Sequence, residues 1–471
     1  MIEISVHKKP ILSIPSFSIS KGKVTFLFGE SGIGKSLLSK YVMDLLDLEL
    51  LQVKATEGLS SEERENGFYV FQEPSSYFNP LQTIDEQLNE SDLSSRKENE
   101  SIYNALWEDN TWMELGHIYP KDYRPSGGEK QRLYAFMALK KMKQEESGFF
   151  VFDEPTGNLD EYHRNKMLDS LIGSFKKGKQ TVLIITHDYT IIDYIVLNFP
   201  KLKSFIEYNE LVKTSSELEL KPFETSSYIS FLKAGNYDFS KSLETDTLFQ
   251  LNHSIGLFGK QLTIYQNEKP TDLKLGSGSI SYLKARSGAG KTSIAKMICG
   301  LLDAEHFSFR LNDKRYTEHT PKSEWNRTLW GKKIGLVFQH ADRALNPNST
   351  VWEVFKHLPI ESMTKTTLLS YLSNVFSHVD EVFLNKKTSE LSGGQKQRIN
   401  LLRTFALNTD IVILDEPFTG LDIKTMNTVL KMISDKLQEG TAFLLISHNE
   451  SFFDRLIPEK NVFHIKSRIG E

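Results

Sequence analysis

A chain of 471 residues is too long for a single core, so two or three domains are expected. With 39% apolar and 25% charged residues the composition is that of ordinary globular protein, and a formal net charge of −4 gives no global signal for nucleic acid. The lone cysteine, Cys299, excludes a disulfide framework and a cysteine-ligated cluster.

No apolar run approaches the roughly 18 residues of a membrane span. Residues 1–14 lack the apolar core of a signal peptide. A cytoplasmic chain is therefore expected, with any membrane role exercised through a partner.

In chain order, residues 1–6 and 11–19 read as short strands. Residues 24–28 are apolar, Gly29-Glu30-Ser31-Gly32-Ile33-Gly34-Lys35-Ser36 follows, and residues 37–46 are helix-like. Strand, glycine loop and helix are the setting of a phosphate-binding loop. Its glycines let backbone N–H groups converge on phosphate oxygens, and the helix N-terminus adds partial positive charge. Gly29, Ser31, Gly32, Gly34, Lys35 and Ser36 are thus candidate phosphate contacts, with Lys35 on the outer phosphates and Ser36 on Mg2+. Residues 67–72 form another short strand ending on Gln72. Thr83-Ile84-Asp85-Glu86 is a capping box that starts a helix, and the polar residues 91–100 read as the solvated surface of a helical segment.

Pro125-Ser126-Gly127-Gly128-Glu129-Lys130-Gln131-Arg132 runs into the helical residues 133–143. Ser126, Gly127 and Gly128 at a helix start are a second anion site by the same logic, although a plain helix cap explains that turn alone. Residues 149–152 are continuously apolar, as in a strand buried on both faces, and end on Asp153-Glu154-Pro155. Such sheets bind ligands at the carboxyl ends of their strands. There Asp153 is placed to orient Mg2+ and Glu154 to polarise a water for attack on the γ-phosphate. The last strand, residues 181–185, ends on Thr186-His187-Asp188, with His187 facing the same place.

In this order the motifs resemble the ATP-binding cassette (ABC) ATPase family. The resemblance covers residues 1 to about 210 and about 250 to 471. It implies that Gln72 is the Q-loop glutamine and a metal contact beside Ser36 and Asp153. Asp153 would be the Walker B aspartate, Glu154 the catalytic base, Asp160 the D-loop residue and His187 the switch histidine.

The second half contains the same parts. Ala285-Arg286-Ser287-Gly288-Ala289-Gly290-Lys291-Thr292 repeats the phosphate loop, with Ser287, Gly288, Gly290, Lys291 and Thr292 as nucleotide contacts. Gln339 matches Gln72, and Leu391-Ser392-Gly393-Gly394-Gln395 matches the signature. Asp415-Glu416, Leu421-Asp422 and Ser447-His448 close the set. Thr292, Gln339 and Asp415 become the metal contacts, and Glu416 and His448 the catalytic pair.

The two loop lysines lie 256 residues apart, which marks a tandem pair of cassettes. Residues 1–213 and 248–471 are the expected domains, each a mostly parallel α/β sheet with an antiparallel β region and a helical subdomain. Residues 214–247, serine-bearing and acidic on balance, are the expected linker. Val351, Val354, Phe355 and Leu358 form a helical apolar stripe.

The resemblance further implies head-to-tail pairing of the two domains within one chain. Ser392, Gly393 and Gly394 would complete the site of Lys35, and Ser126, Gly127 and Gly128 that of Lys291. Ala285 stands where the first copy has Gly29: an alanine with positive φ would be strained there, whereas with negative φ its methyl is harmless. With Pro-Ser-Gly-Gly-Glu as the signature that would complete this site, slower turnover is expected at the Lys291 site. Tyr265, 26 residues before Lys291, is a candidate adenine platform, and the same offset in the first copy gives Lys9.

The string F-Q-E-P-S-S-Y-F-N-P resembles the Q-loop region of oligopeptide, dipeptide and nickel importers. That implies integral membrane permease subunits, an extracellular substrate-binding protein, and a chain on the cytoplasmic face of the membrane, with no nucleic-acid partner. Only 23 residues follow His448, whereas those importers commonly carry a longer tail. An energy-coupling-type vitamin or metal importer, an exporter and a ribosome-acting tandem protein are the alternatives.

Overall fold

The structure is a computed structural model. It describes residues 2–469 apart from 7–8, 31, 47–51, 56–63, 73–77, 80, 90–95, 108–126, 158, 215–217, 227, 229–236, 238, 242–246, 286–288, 340, 359–362, 377 and 449. Two compact units emerge, Met1–Ile229 and Ser230–Glu471.

The first unit contains β1 (Ile2–Val6), β2 (Lys9–Ile14), β3 (Val24–Gly29), β4 (Gln52–Ala55), β5 (Phe68–Val70), β6 (Gly148–Asp153), β7 (Gln180–Ile185), β8 (Ile206–Lys213) and β9 (Leu218–Pro222). Every residue of β3, β6 and β7 is buried, which their continuous apolar runs require. The sheet order is β5-β6-β7-β3-β8-β9. The first five strands are parallel and β9 returns antiparallel to β8. A separate antiparallel sheet, β2-β1-β4, lays Ile2, Ile4, Leu12 and Ile14 into the core that holds Leu27 and Leu38. Three helices matter for the site: α1 (Lys35–Val42), α2 (Gly127–Gln144) and α3 (Glu161–Ser174).

The second unit contains β10 (Thr247–Leu251), β11 (Ser254–Leu257), β12 (Lys260–Gln266), β13 (Lys269–Pro270), β14 (Leu273–Gly276), β15 (Ile280–Lys284), β16 (Ser308–Leu311), β17 (Lys314–Thr317), β18 (Ile334–Val337), β19 (Ile411–Asp415), β20 (Ala442–Ile446) and β21 (Val462–Ile469). Its main sheet runs β11-β12-β21-β15-β20-β19-β18 and its antiparallel sheet β14-β10-β16-β17. The matching helices are α4 (Lys291–Ile298), α5 (Gly393–Ala406) and α6 (Ile423–Gln438). The apolar stripe packs as its spacing demands. Val351 and Phe355 are buried with Leu368, Leu372 and Leu384 in a helical cluster, and Val354 and Leu358 pack against it. The expected fold class is the observed one in both units.

Three details differ from the sequence expectation. The second strand ends at Ile14, where Pro15 removes the next N–H. The helix after the first phosphate loop stops at Val42, and Asp44 turns left-handed (φ 59°). The stretch 214–247 folds in part onto each unit. Residues 218–222 form β9, Tyr228 stacks on Tyr189 at 6.5 Å, and Phe239 enters the core of the second unit.

Candidate functional site

Each unit gathers its polar motifs at the carboxyl ends of its parallel strands. In the first, β3 delivers the glycine loop and α1 begins at Lys35. Gly34 has φ 112°, and a Cβ there would lie 2.5 Å from Leu12 Cδ1, so only glycine fits. The Lys35 ammonium donates to the carbonyls of Gly29 (2.7 Å) and Glu30 (2.9 Å), folded back over its own loop. Burial pushes Lys35 below its ordinary value, against the pull of Glu154 and Asp153. In the second unit Lys291 likewise donates to the carbonyl of Ala285.

Asp153 ends β6 and Asp415 ends β19, both almost wholly buried. Burial raises both carboxyls, Asp415 to about 6, although the hydroxyls of Ser36 and Thr292 bond to them respectively. Asp153 Oδ1 and Asp415 Oδ1 find no hydrogen-bond partner among the described residues.

The glutamates that follow share an unusual backbone. Glu154 has φ 52° and Glu416 φ 49°. A non-glycine residue pays roughly 1–2 kcal/mol for that conformation, so both turns are held by neighbours. The N–H groups of Glu154 and Glu416 donate to the carbonyls of Ile185 and Ile446, each at 2.9 Å. A glutamine from the signature helix grips each turn from behind: Gln131 Nε2 donates to the Glu154 carbonyl at 2.5 Å, and Gln397 Nε2 to that of Glu416 at 3.5 Å. The signal was in the sequence, since both glutamines occupy the same signature position, but nothing local tied them to the glutamates.

The two glutamates differ in their partners. Glu154 Oε2 sits 2.5 Å from His187 Nδ1. Burial alone would raise Glu154, but the facing imidazolium outweighs it and holds the carboxyl below its ordinary value. His187 is held above its own value, Glu154 overcoming the effect of burial. Glu416 Oε2 instead accepts from the Ser447 hydroxyl (3.2 Å) and the His448 backbone N–H (3.1 Å), with His448 Nε2 3.4 Å from Oε1. Burial there prevails and pushes Glu416 up.

A family model described as ABC transporter matches residues 12–157 and 269–419. The chain belongs to the ABC transporter ATPase family. It binds ATP and hydrolyses it. A putative ABC transporter ATP-binding protein of Clostridium perfringens is 25% identical over 94% of this chain and 84% of its own length. A peptidoglycan transport ATP-binding protein of Agrobacterium fabrum is 25% identical over 92% of this chain and 84% of its own. Among solved structures, one described as RNase-L Inhibitor superposes with a TM-score of 0.62 at 18% identity, over 98% of this chain and 89% of that one. At that identity the likeness is one of fold.

In ABC terms, the remaining expected positions fall as follows. Gln72 is exposed just past β5 and Gln339 half-buried just past β18. Asp160 caps α3, accepting from His163 N at 2.9 Å, and Asp422 caps α6, accepting from Thr425 N at 2.9 Å. Gly127 and Gly128 open α2, and Ser392 caps α5, ahead of Gly393 and Gly394, through a capping box with Gln395. Ser31, Ser126, Ser287 and Gly288 lie outside the described residues. Gly32 follows Ser31 with φ 79°, and Gly290 has φ 99°.

Ala285 carries no backbone strain. Gly29 needs its glycine, with φ 142° and a would-be Cβ 2.7 Å from the Leu211 carbonyl. Ala285 is not among the described residues with positive φ and joins the apolar core.

Tyr265 lines a cavity of about 720 Å3 with Ala285 and Ala289; His464 is its cross-strand neighbour, and the Lys466 ammonium lies 5.0 Å over its ring. In the first unit the fixed offset of 26 residues misplaces the counterpart. Leu12 packs on Gly34 as Leu262 packs on Gly290. That aligns Leu12-Ser13-Ile14-Pro15 with Leu262-Thr263-Ile264-Tyr265, so Pro15, not Lys9, stands where the second unit has its ring.

Proposed function

We propose that this chain is the ATPase of a membrane transporter whose permease is a separate protein, an importer of peptide- or nickel-type cargo fed by an extracellular binding protein. The observation that carries this reading is the pair of relatives matched over nearly the whole chain, both described as transporter ATP-binding proteins. Among the described residues no helix is long and apolar enough to cross a membrane, so the pathway for cargo would lie in another chain.

At each site, Lys35 or Lys291 would move from the loop carbonyls to the outer phosphates. Glu154 or Glu416 would take a proton from the attacking water as its oxygen meets the γ-phosphorus, and His187 or His448 would bridge that glutamate and the γ-phosphate. The buried carboxylate oxygens Asp153 Oδ1 and Asp415 Oδ1, each beside a loop hydroxyl, fit Mg2+, a cation that takes hard oxygen ligands. Ser36 and Asp153 with Gln72, and Thr292 and Asp415 with Gln339, would hold it. When bound, Mg2+ neutralises charge on the β- and γ-phosphates.

The test is a pull-down from detergent-solubilised membranes with a tagged chain carrying Glu154→Gln and Glu416→Gln, loaded with ATP and read by mass spectrometry. Permease subunits and a binding protein are the expected companions, and the binding protein then names the cargo. Ribosomal proteins, or no membrane partner, would overturn the transport reading and leave the ATPase.

A further inference from the structure

The two units hold their metal-side aspartates differently. In the first, the Tyr69 phenol donates to Asp153 Oδ2 at 3.1 Å. Ser39 Oγ lies 2.8 Å from the Tyr69 oxygen and 3.1 Å from the Ser36 carbonyl. All three side chains are buried. A carboxylate is the strongest acceptor present, so the phenolic proton goes to Asp153, and Ser39 gives its own to Tyr69 or to the Ser36 carbonyl. Ser36 and Ser39 sit three apart on α1 and share one face. A line of hydroxyls therefore ties Asp153 to the same helix that presents Ser36.

The second unit has the same frame without the line. Tyr69 pairs with Val151 across β5 and β6, and Leu336 pairs with Ile413 across β18 and β19, each two residues before the aspartate. Ser39 and Ala295 each stand four residues past the loop lysine. Ala295 is fully buried and Leu336 packs against the apolar cluster, so neither position offers a hydroxyl to Asp415.

We propose that Tyr69, braced by Ser39, is a positioning residue of the first ATP site, fixing the Asp153 carboxylate for the nucleotide-bound divalent cation and making that site hold the cation more tightly than the second. This rests on the reading of Asp153 and Asp415 as Mg2+ partners. With Oδ2 pinned by Tyr69, Oδ1 stays free of protein partners and its direction is set before the cation arrives. Groups that orient a metal's ligands change its affinity by roughly 10–100-fold.

The test uses the full chain and counts bound Mn2+ by electron paramagnetic resonance in the presence of a non-hydrolysable ATP analogue. The wild type should show two classes, one tight and one weak. Tyr69→Phe should weaken the tight class by about tenfold while leaving affinity for the analogue in EDTA within about twofold. Ser39→Ala should produce a smaller loss in the same class. Ala295→Ser with Leu336→Tyr should tighten the weak class, which covers the case in which Tyr69→Phe unfolds. Asp153→Asn is the reference and should remove the tight class. Two equal classes in the wild type would overturn the proposal. So would a silent Tyr69→Phe beside an effective Asp153→Asn, and the ATP-site reading would then survive. A silent Asp153→Asn would overturn both.

Discussion

The two units are copies of one plan built with different joints. Behind the loop strand of the first, Phe28 stacks on Tyr189 at 4.6 Å. At the same two positions the second unit has Lys284 and Glu450, 3.7 Å apart, with Asp454 completing an ion pair. One unit fixes the loop after its strand-end histidine with a ring stack and the other with charge. The closing strand differs as well. Beside β21 the second unit places β12, which also carries Tyr265, whereas beside β8 the first places β9 and leaves β2 in a separate sheet. What both copies retain is the set of motif positions at the strand ends and the left-handed glutamates. Those positions are therefore what the plan requires, and the joints are interchangeable.

The sharpest way to break this comparison is to replace each proposed general base in turn. Glu154 is held by His187 at 2.5 Å, whereas Glu416 has its histidine ring at 3.4 Å. Glu154→Gln should cut steady-state ATP turnover by about tenfold or more and Glu416→Gln by less than about twofold, within the range a general base supplies. Equal losses in a phosphate-release assay would make the sites equivalent.

Next in size is the first residue of each phosphate loop. Gly29→Ala forces a Cβ against the Leu211 carbonyl at positive φ and should cost about 2 kcal/mol in denaturant unfolding. Ala285→Gly should shift the same measurement by less than about 1 kcal/mol, since that backbone is unstrained.

The helix caps predict similarity instead. Asp160→Ala and Asp422→Ala each remove an N-cap and should cost about 1 kcal/mol, seen as a lower thermal midpoint. A larger loss of ATP turnover than of stability would give the aspartates a part in the reaction as well.

The smallest effect concerns a contact in the second unit's β-region. Asp272 accepts from the His253 backbone N–H and ring and from Gln250. Burial would raise its carboxyl, but these bonds prevail and hold it below its ordinary value. A depressed folded value stabilises above the unfolded one, about 3.9, and the benefit fades as pH falls through the folded value. Asp272→Asn should therefore lower the thermal midpoint at pH 7, with the gap to wild type closing under acid.

Much of this molecule was legible in its sequence because the motifs stand at fixed distances from strand ends. Residues 149–152 and 411–414 had to be buried strands, and Asp153 and Asp415 had to end them. What stayed hidden depended on partners distant in the chain. Tyr69 and Asp153 are 84 residues apart, and no pattern announces their bond. Strand β9 reads Leu218-Glu219-Leu220-Lys221-Pro222 and was masked by its charges and proline, since an edge strand with one buried residue lacks the apolar run that marks a central one. The counterpart of Tyr265 was missed because the interval from Leu12 to Gly34 is six residues shorter than that from Leu262 to Gly290, which breaks an offset counted along the chain.

Strand β9 also bears on how the chain divides. Its residues pair with Asn209 through Lys213 along the outer side of β8. A first-half polypeptide ended at Lys213 would expose that row of backbone groups as a template for a neighbouring chain, and aggregation should follow. Carried through Tyr228, the same half keeps its edge covered and its last aromatic stacked. The boundary for expressing the halves separately, or for placing a cleavable site between them, therefore lies after Tyr228 and before Tyr237, whose ring stacks on Phe239 in the second unit.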